Sequence, residues 1–137
     1  MQLVVDSSVI VKWLVADKED WMEQALKLLE RVKSGTVEVA APVLAKYEVV
    51  NVVKHKILTD PEKTLCIENL YDLPIKYFDV SRKQARQGRE IAEKMSITFY
   101  DAVFMELAQR LDATLITANP KHHKSFPGVK VVDLKDY

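Results

Sequence analysis

The stretch LVVDSSVIVKW, residues 3 to 13, decides how the chain folds. Three aliphatic residues that suit a buried strand stop at a carboxylate, Asp6, and two serines lead straight back into apolar sequence. A short strand followed at once by a helix is typical of a parallel sheet covered by helices. In such sheets ligands bind beyond the carboxyl ends of the strands, so Asp6 lies where a functional residue is expected.

The rest of the chain repeats this alternation. Apolar runs predict further strands at residues 37–41, 75–80, 114–117 and 129–132. Between them lie single or paired helical patterns, and the chain contains only three glycines and five prolines to interrupt them. This order predicts an α/β fold, a three-layer α/β/α sandwich with a mainly parallel sheet.

Capping residues set the expected helix bounds. Ser7 or Ser8 suits the cap of a short first helix, and Pro42 suits the first turn of the third. Ser81 and Thr98 suit the caps of the last two helices. The first predicted helix ends near residue 15. The other five span residues 17–35, 42–58, 60–72, 82–95 and 99–111.

Length and composition limit the classes of protein. At 137 residues the chain is the size of one domain, which we take as residues 1–137. Twenty basic and twenty acidic residues give no overall attraction to polyanions, so any such site must be local. A single cysteine, Cys66, cannot form an internal disulfide, and no window reaches the roughly 18 apolar residues of a membrane span. We therefore expect a cytoplasmic protein without membrane contact.

Two acidic residues have both a structural and a functional interpretation. Asp6 follows the first strand, where it either caps the next helix or belongs to a site. Glu48 lies inside the third helix among apolar neighbours, so it is either a partly exposed surface residue or a carboxylate that needs a partner.

Two further candidates lie near the end of the chain. Asp101 is the third helical residue after Thr98, where it suits a capping box, yet it heads a predicted buried stripe. The side of this helix that carries Glu106, Gln109 and Arg110 is expected to face solvent. Asn119 follows the fourth strand and precedes a proline, so it is either a turn residue or a member of the site.

If the three carboxylates converge, they predict a bound cation. Close pairs would repel by about 2 to 4 kcal/mol at an effective dielectric near 20, and a cation between them removes that repulsion. Oxygen ligands without cysteine suit Mg²⁺ or Mn²⁺, and such ions serve phosphoryl transfer above all. The three scattered glycines cannot form a phosphate-binding loop.

Four motifs carry a resemblance to a known family. They are VVDSSVIVKW, PVLAKYEVVNVV, TFYDAVFMELAQRL and ATLITANP, in this order along the chain. Together they resemble the PIN domain, and most of all the VapC-type toxins of toxin-antitoxin pairs. The resemblance covers the whole chain. It implies a PIN-like α/β/α sandwich, a metal-dependent ribonuclease, a homodimer and inhibition by a cognate VapB-type antitoxin.

The resemblance also assigns the catalytic positions. By position in the motifs, the family's first acid falls on Asp6, its third-helix glutamate on Glu48 and its next aspartate on Asp101. These three residues are expected to hold Mg²⁺ or Mn²⁺. The fourth catalytic position, usually an aspartate, falls on Asn119, whose amide lacks the negative charge.

Two polar residues match the family's supporting positions, Ser8 and Thr117, and are expected to position the ligands. The implied substrate is single-stranded or structured RNA. Two alternatives remain open: a catalytically weakened PIN-fold module that binds RNA or protein, and an RNA-processing nuclease.

One apolar stripe and several basic residues near the site are expected to contact other molecules. The candidate dimer contact is the apolar stripe Val49, Val50, Val53 and Ile57. Candidate phosphate contacts are Lys12, Lys46, Arg82, Arg86 and Lys121.

Overall fold

The sheet places the first strand at its centre. The computed structural model describes residues 1–15, 20–121 and 125–137. In this part of the chain the strands are β1 Gln2–Val5, β2 Glu38–Pro42, β3 Ile75–Phe78, β4 Thr114–Thr117 and β5 Val131–Asp133. All pairings are parallel, in the spatial order β3-β2-β1-β4-β5. Val4 and Val5 of β1 are fully buried because they have a strand on each side and a helix layer on each face.

The helices form two layers. They are α1 Ser7–Leu14, α2 Met22–Lys33, α3 Leu44–His55, α4 Asp60–Asp72, α5 Arg82–Met95 and α6 Phe99–Arg110, and a short 3-10 helix spans Leu134–Asp136. The chain steps one way from β1 to β3 and then crosses back to β4, so right-handed connections put α1 to α4 on one face and the last two helices on the other. Accordingly α1 packs with α2, α3 and α4, whereas α6 packs with α5 and lies against β1, β2 and β4. The predicted α/β/α sandwich is confirmed.

Side-chain caps explain most of the helix starts. Ser81 and Thr59 begin α5 and α4 through reciprocal capping boxes, and Thr98 caps α6. The predicted caps of α5 and α6 are therefore confirmed. The cap of α1 is Asp6 rather than Ser7 or Ser8, because its carboxylate accepts the first free helical N–H groups.

Pro42 does not begin a helix, contrary to the sequence prediction. It is the last residue of β2 and pairs with Phe78 of β3. Its missing N–H is not needed there, because the next residue, Val43, donates its own N–H to the Phe78 carbonyl at 2.9 Å. The α3 helix begins only at Leu44.

The core is made by the sheet and the inner faces of both helix layers. The largest fully buried side chains include Phe104, Ile10 and Leu28. Cys66 is buried as well, and burial raises the pKa of its thiol. Of the predicted second helix, residues 17–19 lie outside the described part. Among the described residues, none of the helices combines the length and apolarity that a bilayer crossing requires.

Candidate active site

Parallel pairing brings the ends of β1 and β4 together. Val5 pairs with Ile116, so the residues that follow them in the chain, Asp6 and Thr117, lie at the same edge of the sheet. The Asp6 N–H donates to the Ile116 carbonyl at 3.2 Å, and the Thr117 hydroxyl donates to Asp6 Oδ2. A side chain from the beginning of the chain and one from its last quarter therefore form one unit.

The Asp6 carboxylate is held on both oxygens. Its Oδ1 accepts the Ser8 N–H at 3.1 Å, the Val9 N–H at 3.4 Å and the Ser8 hydroxyl. The Ser8 hydroxyl oxygen also accepts the Ala118 N–H at 3.1 Å. Since only 5% of Asp6 is exposed, these donors compensate for its lost hydration and fix its orientation. Asp6 caps α1 and also lies at the sheet edge where a site is expected, so its two interpretations do not exclude each other.

Glu48 reaches the same region from α3. Its Oε1 accepts the Ser7 hydroxyl at 2.8 Å, which ties α3 to the first turn of α1. Glu48 is half-buried. The carboxylate is neither on the open surface nor in the core, and a neighbouring helix holds it in place.

Asp101 lies in the first turn of α6. The Asp101 N–H donates to Thr98 Oγ1 at 3.1 Å, which closes the helix cap. The Asp101 side chain is half-buried, whereas Met105 and Ala108 further along the helix are fully buried. The bond to Thr98 therefore uses the backbone N–H of Asp101 and not its carboxylate.

One cavity unites these residues with Asn119. It has a volume of about 190 Å³ and is lined by Asp6, Ser7, Ser8, Glu48, Asp101, Phe104 and Asn119. Asn119 follows β4, and its N–H donates to Thr117 Oγ1 at 2.9 Å. All four predicted catalytic positions line this cavity, and Ser8 and Thr117 both contact Asp6.

The cavity offers oxygen donors of the kind that Mg²⁺ and Mn²⁺ prefer. Three carboxylates, two hydroxyls and one amide line it. Within the described residues, however, no three His, Cys, Asp or Glu side chains form a closed metal-binding group. The cavity therefore supplies ligand atoms that suit such an ion but does not identify a metal site.

The comparison with known proteins identifies the family. A model of the PIN domain matches residues 3–126. The chain belongs to the PIN-domain family. Ribonuclease VapC3 of Pyrobaculum aerophilum is 30% identical over 138 residues, a match that covers 94% of this chain and 98% of that protein. The relationship to VapC-type PIN domains predicted from the four motifs is confirmed.

Solved structures share the same PIN fold. VapBC2 from Rickettsia felis, bound to a DNA fragment from its promoter, superposes with a TM-score of 0.69 at 18% identity over 97% of this chain and 98% of that one. VapC20 of Mycobacterium tuberculosis, a toxin that cleaves the sarcin-ricin loop, superposes with a TM-score of 0.64 at 12% identity over 85% and 87%. At such identities the match supports the fold.

The predicted dimer stripe is wrong, because its four residues do not form one exposed surface. Val49 and Val53 are 0% and 1% exposed, so they belong to the chain's own core. Val50 is half-buried, and Ile57 is fully exposed just beyond α3. Helical spacing grouped Val49 and Val53 correctly on one face, but that face packs inward, and Ile57 lies beyond the helix.

The predicted solvent side of α6 is wrong at one position. Glu106 is 2% exposed, whereas Gln109 and Arg110 are exposed as expected. Arg110 Nε contacts Glu106 Oε1 at 3.2 Å, and this ion pair allows the carboxylate to be buried. Burial raises the pKa of Glu106, while Arg110 acts in the opposite direction.

The predicted phosphate contacts lie outside the carboxylate cavity. The Lys46 ammonium lies 4.9 Å and 4.3 Å from the ring centroids of Tyr71 and Tyr77. Lys12 is 8% exposed and donates to the Asp20 carbonyl at 2.8 Å. It lines a neighbouring cavity of about 380 Å³ that shares Ser7, Ser8 and Asn119 with the first. The remaining three, Arg82, Arg86 and Lys121, are exposed.

Two cavity residues were not predicted from the sequence, Ser7 and Phe104. The signal for Phe104 was its position three residues after Asp101, because residues at that spacing share a helix face. Ser7 follows Asp6 directly, but the sequence gives no sign that its hydroxyl contacts a residue 41 positions away.

Proposed function

We propose that this PIN-domain protein is the toxin of a VapBC-type toxin-antitoxin pair, a Mg²⁺- or Mn²⁺-dependent endoribonuclease that hydrolyses RNA phosphodiester bonds. The observation that carries the proposal is the cavity in which Asp6, Glu48 and Asp101 meet Asn119. The 30% identity to a VapC ribonuclease over nearly the whole chain supports it. PIN-domain ribonucleases are in general dependent on divalent metals, and the oxygen donors of this cavity suit such an ion.

The residues divide into ligands and supports. Asp6 and Asp101 hold the ion, and Glu48 either completes its ligands or orients the attacking water. A divalent ion bound there supplies a water of lowered pKa and offsets negative charge at the phosphate. Ser8 and Thr117 fix both oxygens of Asp6, and Ser7 fixes Glu48. Their contribution is to keep the ligands in one geometry without movement during the reaction.

Asn119 reduces the negative charge of the site. Its amide contributes a neutral oxygen or orients a water, where the family usually has a fourth carboxylate. We expect weaker metal affinity than in a four-acid site, with one well-held ion and a second one recruited together with the substrate.

The partners follow from the same proposal. A VapB-type antitoxin inhibits the toxin by laying a segment over the carboxylate cavity and by placing a basic side chain where the metal binds. The protein acts as a single-domain homodimer in the cytoplasm. Its dimer contact does not use the stripe from Val49 to Val53, because those two residues are buried in the core.

Cleavage of single-stranded RNA tests the enzymatic proposal. With added Mn²⁺, Asp101→Asn should lower the rate by about 100-fold or more, because it removes a charged ligand while keeping the shape of the side chain. Asp72→Asn, at an exposed position at the end of α4, is the matched control and should cleave like wild type. Equal cleavage by all three proteins would indicate a contaminating nuclease or a different site.

Asn119 also favours a second candidate function. A site with one charge fewer could bind RNA or a partner protein without turnover. Metal binding by calorimetry together with absent cleavage would support this binding module over the nuclease.

An RNA-processing nuclease would share the same chemistry. The two enzymatic roles differ in the genome, since a toxin is expected to follow a small antitoxin reading frame directly. Growth arrest on expression, relieved by co-expression of that frame, would identify the toxin.

A further inference from the structure

A second groove adjoins the carboxylate cavity and is aromatic. It has a volume of about 220 Å³ and lies between the start of α3, the end of β3 and the start of α6. Its lining includes Tyr47, Phe78, Asp79, Phe99 and Tyr100. We call it the aromatic groove.

Three of its aromatic side chains are exposed to solvent. Tyr47 is 68% exposed, Tyr100 61% and Phe99 39%. Isolated exposed aromatic residues are ordinary on a protein surface, but several in one groove indicate a surface that contacts a ligand.

The groove and the cavity are both lined by residues of α3 and α6. Tyr47 directly precedes Glu48 on α3, and Tyr100 directly precedes Asp101 on α6. Leu44, which also lines the groove, is four residues before Glu48 and therefore lies next to it along the helix. An extended ligand bound at the carboxylates of these two helices can therefore continue towards the groove.

The chemistry of the groove suits a nucleobase and not a phosphate. Of the described residues that line it, Asp79 is the one that carries a charge, and that charge repels phosphate. The nearby Lys46 directs its ammonium to Tyr71 and Tyr77 instead. Aromatic rings bind unpaired bases by stacking, which contributes about 1 to 3 kcal/mol per base.

We propose that the aromatic groove binds one unpaired base next to the scissile phosphate of single-stranded RNA, with Tyr47 and Tyr100 as the stacking residues. The proposal rests on the function proposed above, because it assumes that RNA is bound at the carboxylates. It deepens that function by assigning a subsite for one base and the residues that hold it.

Asp79 adds a preference among the bases. Its Oδ1 accepts the Val80 N–H at 2.8 Å, which orients the carboxylate at the groove. A carboxylate accepts hydrogen bonds from exocyclic amino groups, as in the pairing of acidic side chains with cytosine N4. The groove therefore favours cytosine, adenine or guanine over uracil, which has no amino group.

Binding to a short single-stranded RNA with 2-aminopurine placed at each position in turn tests the proposal. Ca²⁺ in place of Mg²⁺ keeps the carboxylates occupied without supporting cleavage, and stacking quenches the fluorescence of the modified base. Wild type should quench one position strongly. Tyr47→Ala and Tyr100→Ala should lose that quenching and raise Kd by about 5- to 150-fold, the equivalent of one lost stacking contact.

Two kinds of control separate stacking from loss of structure. Tyr47→Phe and Tyr100→Phe keep the ring and should restore quenching and affinity. Tyr71→Ala removes a tyrosine of equal exposure, 61%, from α4 outside the groove and should bind like wild type. Asp79→Ala should keep the quenching and lose the several-fold preference for cytidine over uridine.

The outcomes distinguish this proposal from the nuclease proposal. If wild type cleaves RNA and both alanine variants cleave it with unchanged KM, the base site is refuted and the nuclease stands. If wild type neither binds nor cleaves RNA, both are refuted. If the alanine variants turn a dimeric wild type into monomers in light scattering and keep wild-type quenching per subunit, the groove is a contact between two copies of the chain and the proposal fails.

Discussion

The carboxylate of Asp6 belongs to a helix cap and to the proposed metal site at the same time. It accepts the N–H groups of Ser8 and Val9 on one oxygen and the hydroxyl of Thr117 on the other. Removal of the side chain therefore changes stability and activity together. Asparagine can separate the two effects, because it caps helices as well as aspartate does but carries no charge.

Asp6→Asn and Asp6→Ala should thus differ in stability and agree in activity. The alanine variant should lose about 0.5 to 2 kcal/mol of unfolding free energy with the cap, and the asparagine variant less, because its side-chain oxygen still accepts the N–H groups of Ser8 and Val9. Both should lose RNA cleavage by about 100-fold or more. Urea unfolding and a cleavage assay measure the two effects. Equal destabilisation by both substitutions would show that the cap contributes little.

Glu106 should make stability depend on pH. Burial raises its pKa in the folded protein above the unfolded value, so the folded state holds the proton more tightly. As pH rises from about 4.5 through the folded pKa, the wild type should lose stability relative to Glu106→Gln, which cannot ionise. Urea unfolding of both proteins between pH 4 and 7 measures this difference. A difference that stays constant, or that grows in favour of wild type, would mean that Arg110 outweighs burial.

The candidate site could be predicted at the level of individual residues because its carboxylates are visible in the sequence. Asp6, Glu48 and Asp101 stand out at a strand end, inside an apolar helix and at a helix start, and the structure brings them into one cavity. The buried position of Glu106 could not be predicted. A salt bridge with Arg110 four residues on allows a charge to lie on an inner face, and periodicity takes no account of such pairs.

At the scale of elements, the cap of α6 also positions a site residue. Thr98 holds the N–H of Asp101, so the first turn of this helix sets where the Asp101 carboxylate lies. The equivalent cap of α4, Thr59, holds the N–H of Glu62 at 3.3 Å, and neither residue lines the carboxylate cavity. The two threonines form a matched pair.

Thr98→Ala and Thr59→Ala should each cost about 1 kcal/mol of unfolding free energy, the usual contribution of a threonine cap. Only Thr98→Ala should also slow RNA cleavage, because the first turn of α6 frays around Asp101. Urea unfolding and cleavage rates measure both effects. If Thr59→Ala slows cleavage as much as Thr98→Ala does, the loss reflects general stability and not the position of Asp101.

Most element bounds followed from local signals, and the error at Pro42 arose where the local signal is ambiguous. Caps at Ser81 and Thr98 were predictable because a side chain and its amide partner are three residues apart. Pro42 was misassigned because proline suits both a first helical turn and the last residue of a strand. Only the position of the neighbouring strand β3, which supplies the Phe78 carbonyl, decides between them.

At the scale of the whole molecule, metal binding should raise the melting temperature. A ligand present at about ten times its Kd adds about 1.4 kcal/mol to the unfolding free energy, which corresponds to a few degrees for a chain of this size. Asn119→Asp adds a carboxylate to the cavity and should bind Mg²⁺ and Mn²⁺ on the order of tenfold more tightly. Calorimetric titration and thermal unfolding measure both.

Asp101→Asn is the control for this titration and should show little shift with metal. Equal metal affinity of wild type and Asn119→Asp would contradict the role given to the amide at Asn119. An equal shift in Asp101→Asn would place the ion elsewhere on the protein.

The α/β/α architecture was predictable as a whole because the alternation of strands and helices leaves few topologies open. The sequence did not show which apolar faces remain on the surface. The stripe at Val49 and Val53 and the exposed Tyr47 lie on the same helix, and only the packing of α3 separates core from surface.

The bond between Thr117 and Asp6 spans 111 positions, and this has a consequence for synthesis on the ribosome. The central strand β1 is made early, but its partner β4 follows on the order of ten seconds later at ordinary translation rates. During that time the Asp6 carboxylate lacks the Thr117 hydroxyl and the Ser8 hydroxyl lacks the Ala118 N–H, so the cavity cannot take its final shape. A growing chain is therefore inactive until most of it has been translated, which leaves time for an inhibitor made beforehand to be present when the site first forms.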